Sequence, residues 1–356
     1  MKRYIAVFSL VVAVCVLLCG CGFWMDGEYV SVKPHQEQNY NTEKETIAVS
    51  SYRQLRSAVV TLVENGAENG ILDVSGFNNA TVHFYMDSAI QYVMHSTPMG
   101  AYAVNEITYE IGTSTGVEAI ALDIHYRQDR SEILRMKQTQ DMLEVEGVIA
   151  EALNNCDSSV VLQTRQYEEI DFVQLVQDYA NENPQLIMET PAVEVTVYPE
   201  RGATRIIELV FTYQTSRESL RQMQQVVEPV FTAAELYVKG NEQVREKYVQ
   251  LYAFLMERSE YAVETSITPA YSLLHHGVGD CKAFANVYAA MCRQAGLECY
   301  VVSGTRDGEP WTWNLIYFRG GYYHLDLLRS SQTGGFAPLR KSAMDGYVWD
   351  YSVYPD

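Results

Sequence analysis

Hydrophobic and polar positions change period several times along the chain, and each change predicts an element. Residues 103–137 alternate apolar and polar positions twice around a glycine-containing turn, the period of a β-hairpin, then switch to a charged amphipathic helix. Residues 192–224 follow the same order: Glu106-Ile107-Thr108 lies over Glu194-Val195-Thr196, Leu122-Asp123-Ile124-His125-Tyr126 over Leu209-Val210-Phe211-Thr212-Tyr213, and Arg130 over Arg217. Upstream of each hairpin is a short apolar strand, 71–74 or 160–163, and then a helix that begins near Thr81 or Asp171. The pattern predicts two tandem small α+β repeats, 51–140 and 141–228.

From about Glu228 the period becomes helical. Pro229 suits the first position of one helix and Asn241 the cap of the next, while Tyr248, Leu251, Tyr252, Leu255 and Met256 form a stripe that faces a core. A connection over 266–279 leads into a helix over 281–295, closed by Gly296, and then a strand over 297–303. After a loop with Gly304, Asp307, Gly308 and Pro310, residues 311–318 and 322–328 alternate around Gly320-Gly321 as a further hairpin. Residues 229–356 are therefore expected to form an α+β domain of their own.

The N-terminus has a different character. Lys2 and Arg3 precede an apolar run over 4–18 that is too short to span a membrane comfortably, so 1–20 reads as an export signal. Its end, Leu18-Cys19-Gly20-Cys21, resembles the bacterial lipobox, which implies that Cys21 is lipidated and holds the protein on the extracellular face of the cell membrane. Residues 21–50 are polar and patternless around Lys33-Pro34-His35-Gln36-Glu37-Gln38-Asn39 and read as a tether.

The formal net charge of -19 repels nucleic acid and excludes it as a partner. Of the seven cysteines, Cys15, Cys19 and Cys21 lie in the signal or at its edge. Cys156, Cys281, Cys292 and Cys299 make no disulfide framework, and with no paired CxxC or His/Cys cluster they predict no metal and no cofactor. Whether Cys292 and Cys299 pair is left open.

One thiol is chemically placed. In Gly279-Asp280-Cys281-Lys282-Ala283-Phe284-Ala285-Asn286, Cys281 falls in the first turn of a helix, where unpaired N–H groups and the macrodipole lower a thiol pKa. The competing reading is a small buried apolar residue on the inner face of the helix. His83, His95 and His125 are scattered and read as structural or exposed.

The residues around Cys281 resemble the transglutaminase-like superfamily, especially its bacterial extracellular branch with a papain-like Cys-His-Asp site. The resemblance covers about 229–356 and runs through Glu246-Lys247-Tyr248, Gly279-Asp280-Cys281, Arg293-Gln294-Ala295-Gly296-Leu297, Val302-Ser303-Gly304, Trp311-Thr312-Trp313-Asn314, Tyr322-Tyr323-His324-Leu325-Asp326 and Ser342-Ala343-Met344-Asp345-Gly346-Tyr347-Val348-Trp349-Asp350. It implies a papain-like α+β fold with Cys281 as nucleophile and Asp326 as orienting carboxylate.

The family's histidine belongs at Trp311, which has one N–H donor and no acceptor, so it can neither take the thiol proton nor return it to a leaving group. The nearest substitute base is His324, two residues before Asp326 on the same strand face; His275 and His276, in the loop before Cys281, are others. The leading expectation is a non-catalytic domain that binds or scaffolds cell-wall peptides or other envelope proteins. The alternatives are an active cysteine protease, amidase or transamidase that uses His324, and a structural lipoprotein that works through its repeats.

Overall fold

The computed structural model describes residues 46–114, 117–241, 243–263 and 266–355. The signal segment, Cys21 and most of the expected tether lie outside the described residues. The tether's last residues belong to the folded body, because β1 (Thr46–Ala48) is an edge strand and Val49 is buried beneath it.

The first sheet has the order β1-β2-β4-β3, with β2 (Asn69–Asp73), β3 (Val104–Ser114) and β4 (Val117–Tyr126). Leu72 stands opposite Ile120 and Ile107 opposite Ile124 in antiparallel register. Two long helices, α1 (Tyr52–Glu64) and α2 (Asn79–Ser96), are capped by Ser51 and Asn78, whose side chains accept first-turn backbone N–H groups. They bury Leu55, Val59, Met86 and Val93 against Leu72, Ile120 and Leu122. The short α3 (Pro98–Ala103) and α4 (Arg130–Arg135) flank the hairpin.

The second sheet has the order β5-β6-β8-β7, from β5 (Lys137–Thr139), β6 (Ser159–Thr164), β7 (Ala192–Tyr198) and β8 (Arg205–Thr212), so each sheet lays out its own four strands as first, second, fourth, third. Its helices are α5 (Met142–Asn154), α6 (Phe172–Glu182) and α7 (Arg217–Val238). β5 pairs in parallel with β6, so Lys137–Thr139 belong to this second sheet.

The boundary expected at 228 is crossed by α7, and Pro229 lies inside that helix rather than at the start of a new one. Val227, Phe231, Ala234 and Val238, spaced four, three and four apart, bury one face continuously, and that packing outweighs the hydrogen bond lost at the proline. The next helix, α8 (Val244–Met256), starts after Gln243; Asn241 acts just upstream, its Oδ1 accepting the Gln243 N–H at 3.1 Å.

In the C-terminal region, β9 (Glu260–Tyr261) pairs in parallel with β10 (Val278–Gly279), after α9 (Pro269–Tyr271) and a π-helical turn over Ser272–His276. The central helix α10 (Cys281–Gln294) then packs on a sheet of order β13-β12-β11-β14. Its strands are β11 (Cys299–Arg306), β12 (Glu309–Phe318), β13 (Gly321–Leu325) and β14 (Tyr347–Trp349), with α11 (Leu327–Gln332) between the last two. The strand expected over 322–328 ends at Leu325, where Asp326 caps α11.

One face of this sheet, with Ile316, Phe318 and Leu325, joins α7, α8 and α10 in the largest core. The other carries Val302, Trp313, Leu315, Tyr347 and Trp349. A Cβ on Gly304 would lie 2.2 Å from the Val348 carbonyl, so only glycine lets β14 approach β11 there.

Candidate thiol centre

Asp280 starts α10. Its backbone is extended and its side chain accepts the Ala283 N–H at 2.7 Å, which places Cys281 at the first helical position. The approach is set by β10 and by Gly277, whose left-handed φ of 74° brings it so near the Arg258 carbonyl that a Cβ would sit 2.8 Å away. Beyond Cys281 the helix is buried from Ala283 to Cys292, so it is anchored along most of its length.

Cys281 itself is half-buried. Burial pushes its thiol pKa up; the backbone N–H groups of Thr312 and Lys282 pull down, while the Asp280 and Asp326 carboxylates push further up. The sequence expectation of a thiol acidified by the helix start is thus reversed. Desolvation and two carboxylates together exceed the N–H contacts, and the neutral thiol is favoured.

Asp326 is 5% exposed and saturated with donors. Its Oδ1 accepts the Leu328 and Arg329 N–H groups, both at 3.0 Å, as the cap of α11. Its Oδ2 accepts the Tyr347 hydroxyl at 2.6 Å, the Trp311 Nε1–H at 2.9 Å and an Arg306 guanidinium N–H at 3.2 Å. Trp311 lies across from Gly304 on β11, with the Arg306 guanidinium 5.2 Å above its ring and the Tyr261 ring 5.8 Å away. Its indole therefore makes the hydrogen bond to the carboxylate that an orienting imidazole would make, and offers the thiol no acceptor.

Trp311 is joined to Asp326 by that hydrogen bond, and the Asp326 carboxylate in turn acts on the Cys281 thiol. His324 does not join them. Leu325 points into the core shared with α10, so alternation turns His324 to the opposite face, across from Leu315. There it is 4% exposed, accepts the Trp313 Nε1–H on its Nδ1 at 3.0 Å and lies with its ring centroid 4.5 Å from that of Trp349.

Burial, and secondarily the charge of Lys341, bring the His324 pKa down to about 4. A ring whose acceptor nitrogen is already occupied is a poor substitute base. His275 stacks on Tyr271 and His276 meets both rings edge-on, and among the described residues no histidine hydrogen-bonds to the Cys281 sulfur.

Three contributors escaped sequence reasoning: Arg306, Tyr347 and Tyr261. Tyr347 lies within the C-terminal run that carries the resemblance, so a signal existed. Arg306 and Tyr261 had none, because each reaches the centre through a strand pairing that no local pattern announces.

Residues 232–327 match the family model of the transglutaminase-like superfamily. No curated protein sequence matches the chain. Among solved structures, one described as a TGase is 14% identical, with a TM-score of 0.26 over 48% of this chain and 50% of that one. A candidate cysteine protease from Cytophaga hutchinsonii is also 14% identical, with a TM-score of 0.27 over 42% of this chain and 66% of that one. A candidate protease from Parabacteroides distasonis ATCC 8503 is 9% identical, with a TM-score of 0.24 over 62% and 35%. The chain thus spans less than two thirds of each of these neighbours. With a buried helix that starts at Cys281 and packs on an antiparallel sheet, residues 232–327 form a transglutaminase-like domain.

Proposed function

We propose that this protein is exported, anchored through Cys21 on the extracellular face of the cell membrane, and uses its transglutaminase-like domain for binding or scaffolding rather than catalysis. Its partners in this reading are cell-wall peptides or other envelope proteins. The observation that carries it is the 2.9 Å hydrogen bond from Trp311 Nε1–H to Asp326 Oδ2.

Acyl transfer through a thiol needs a base that takes the Cys281 proton and later protonates the leaving amine. Trp311 can donate but not accept, Asp326 already receives five donors, and His324 faces away. What remains near the half-buried thiol is the Trp311 ring with the Tyr261 ring and the Arg306 guanidinium packed on it, groups whose ring and guanidinium contacts suit a peptide.

The test is turnover. Purified protein, incubated with peptide and amine substrates, is expected to show no hydrolysis or cross-linking that Cys281→Ala removes, while retaining peptide from cell-wall digests in a pull-down. Cys281-dependent turnover would overturn the reading.

A further inference from the structure

Between the end of α6, the loop that follows it, α9 and the first two turns of α10 lies a cavity of about 200 Å³. Ile187, Met188, Ala270, Ala283 and Val287 are all buried and give it an apolar floor. It sits on the α6 side of α10, whereas the Cys281 thiol meets Thr312 and Asp326.

One residue breaks the floor. Asn286 is 8% exposed, in a buried run from Ala283 to Cys292 that is otherwise Ala, Phe, Val, Tyr, Met and Cys. Its Nδ2 donates to the Oδ1 of Asn181, which also lines the cavity, so the carboxamide reaches from α10 toward α6 along the wall. Its own Oδ1 has no protein partner among the described residues. A buried acceptor without a donor is costly, and an apolar side chain of the same shape would remove that cost. At 3.3 Å the bond to Asn181 is long, which leaves the carboxamide free to turn Oδ1 toward an occupant.

Two charges complete the lining. Asp280 and Lys282 make no ion pair with each other or with any other described residue. The Asp280 Oδ1 caps α10 through the Ala283 N–H, and its Oδ2 accepts no hydrogen bond among the described residues. In so small a space, two acceptors and one cation come within reach of a single molecule.

We propose that this cavity binds a free apolar α-amino acid, with its ammonium on Asp280 and the Asn286 Oδ1, its carboxylate on Lys282 and its side chain against Ile187, Met188 and Val287. A zwitterion satisfies a carboxylate and an ammonium together, each through a charge-assisted hydrogen bond, and an apolar side chain uses the floor. A neutral amide would use Asn286 and leave both charges without partners. Sites for drug-sized ligands begin at about 300 Å³, so the volume suits one amino acid and not a peptide segment.

The experiment is calorimetric titration of the full chain with leucine, valine, methionine and glycine, and with the N-acetyl and amide forms of the one that binds best. At least one of the three apolar amino acids is expected to bind. Glycine, which lacks the side chain, the N-acetyl form, which lacks the ammonium, and the amide, which lacks the carboxylate, should each bind at least tenfold more weakly. Lys282→Gln, at an exposed position, should lower the affinity at least tenfold with the melting temperature unchanged, and should bring the amino acid and its amide to similar affinity. Asn286→Leu should abolish binding without lowering the melting temperature, because it removes an acceptor that has no protein donor; if that variant fails to fold, Lys282→Gln decides. The proposal is overturned if none of the three apolar amino acids binds, if glycine or either blocked form binds as tightly as the free apolar amino acid, or if Lys282→Gln or a folded Asn286→Leu binds as well as the natural chain.

Discussion

Asp326 accepts five hydrogen bonds in a place almost closed to water, and one of them comes from the indole that stands where the family's imidazole belongs. Trp311→His should therefore be readable as thiol chemistry. An imidazole held by Asp326 favours the thiolate of Cys281, and each unit by which the thiol pKa falls toward neutrality raises the thiolate fraction about tenfold. The expected result is iodoacetamide alkylation of Cys281 at pH 7 at least about ten times faster than in the natural chain, where Cys281 should react more slowly than a free model thiol. His324 offers a second measurement. Its folded pKa of about 4 lies below its ordinary 6.5, so the unfolded chain takes up a proton in this window that the folded one refuses. The stability this contributes is complete above pH 6.5 and is lost as pH falls toward 4, by on the order of 3 kcal/mol. The charged groups that line the cavity over His324 are Arg340 and Lys341. Urea denaturation of His324→Gln should show a flatter loss between pH 6.5 and 4 than the natural chain does; equal slopes would remove His324 as the cause. Cys281, Trp311 and Asp326 were legible because motif spacing carries over to strand and helix positions. The face that His324 occupies was not, because two residues on one strand share a face only while the strand lasts, and here it ends at Leu325.

At the scale of single elements, α10 begins where Asp280 caps it, and burial, with that same carboxylate adding to it, holds the Cys281 thiol pKa up. Asp280→Asn keeps a good cap while removing the charge, so stability should change by only about 0.5 kcal/mol while Cys281 alkylation accelerates. Asp280→Ala should cost about 1 kcal/mol or more in addition. Both are checked by thermal melts paired with alkylation rates. Helix α7 gives the opposite lesson. The sequence reading started a helix at Pro229, whereas the chain runs through it, since the periodic apolar face on both sides outweighs a local breaker. Pro229→Ala restores a backbone donor to a helix already formed, and a gain of about 1 kcal/mol or more in unfolding free energy is expected from denaturant titration. Hairpins, strand periods and the Gly296 stop were readable from local pattern. Helix continuity across Pro229 depends on what Val227 and Phe231 pack against, which is a tertiary fact.

In the whole molecule, the core under α10 also contains Cys156, Met188 and Leu220, which precede the domain boundary read from sequence. A fragment of residues 229–356 loses these side chains and the first half of α7, so it should lack a cooperative thermal transition by near-ultraviolet circular dichroism, whereas the full chain retains one. A cooperative melt of the isolated fragment would contradict this shared core. Tyr102, Ala103, Met136 and Ile206 likewise bury together across the two N-terminal sheets. The sequence alone determined the alternation of hairpins and helices, the α+β class, the helix that begins at Cys281 and the absence of an imidazole at Trp311, because each of these is encoded in local period or residue type. Only the tertiary structure decided that the thiol is held neutral, that Arg306 and Tyr347 complete the Asp326 site, and that His324 serves the opposite face. Desolvation, strand pairing and sheet alternation near a strand end depend on distant segments meeting, and no local pattern reports on them.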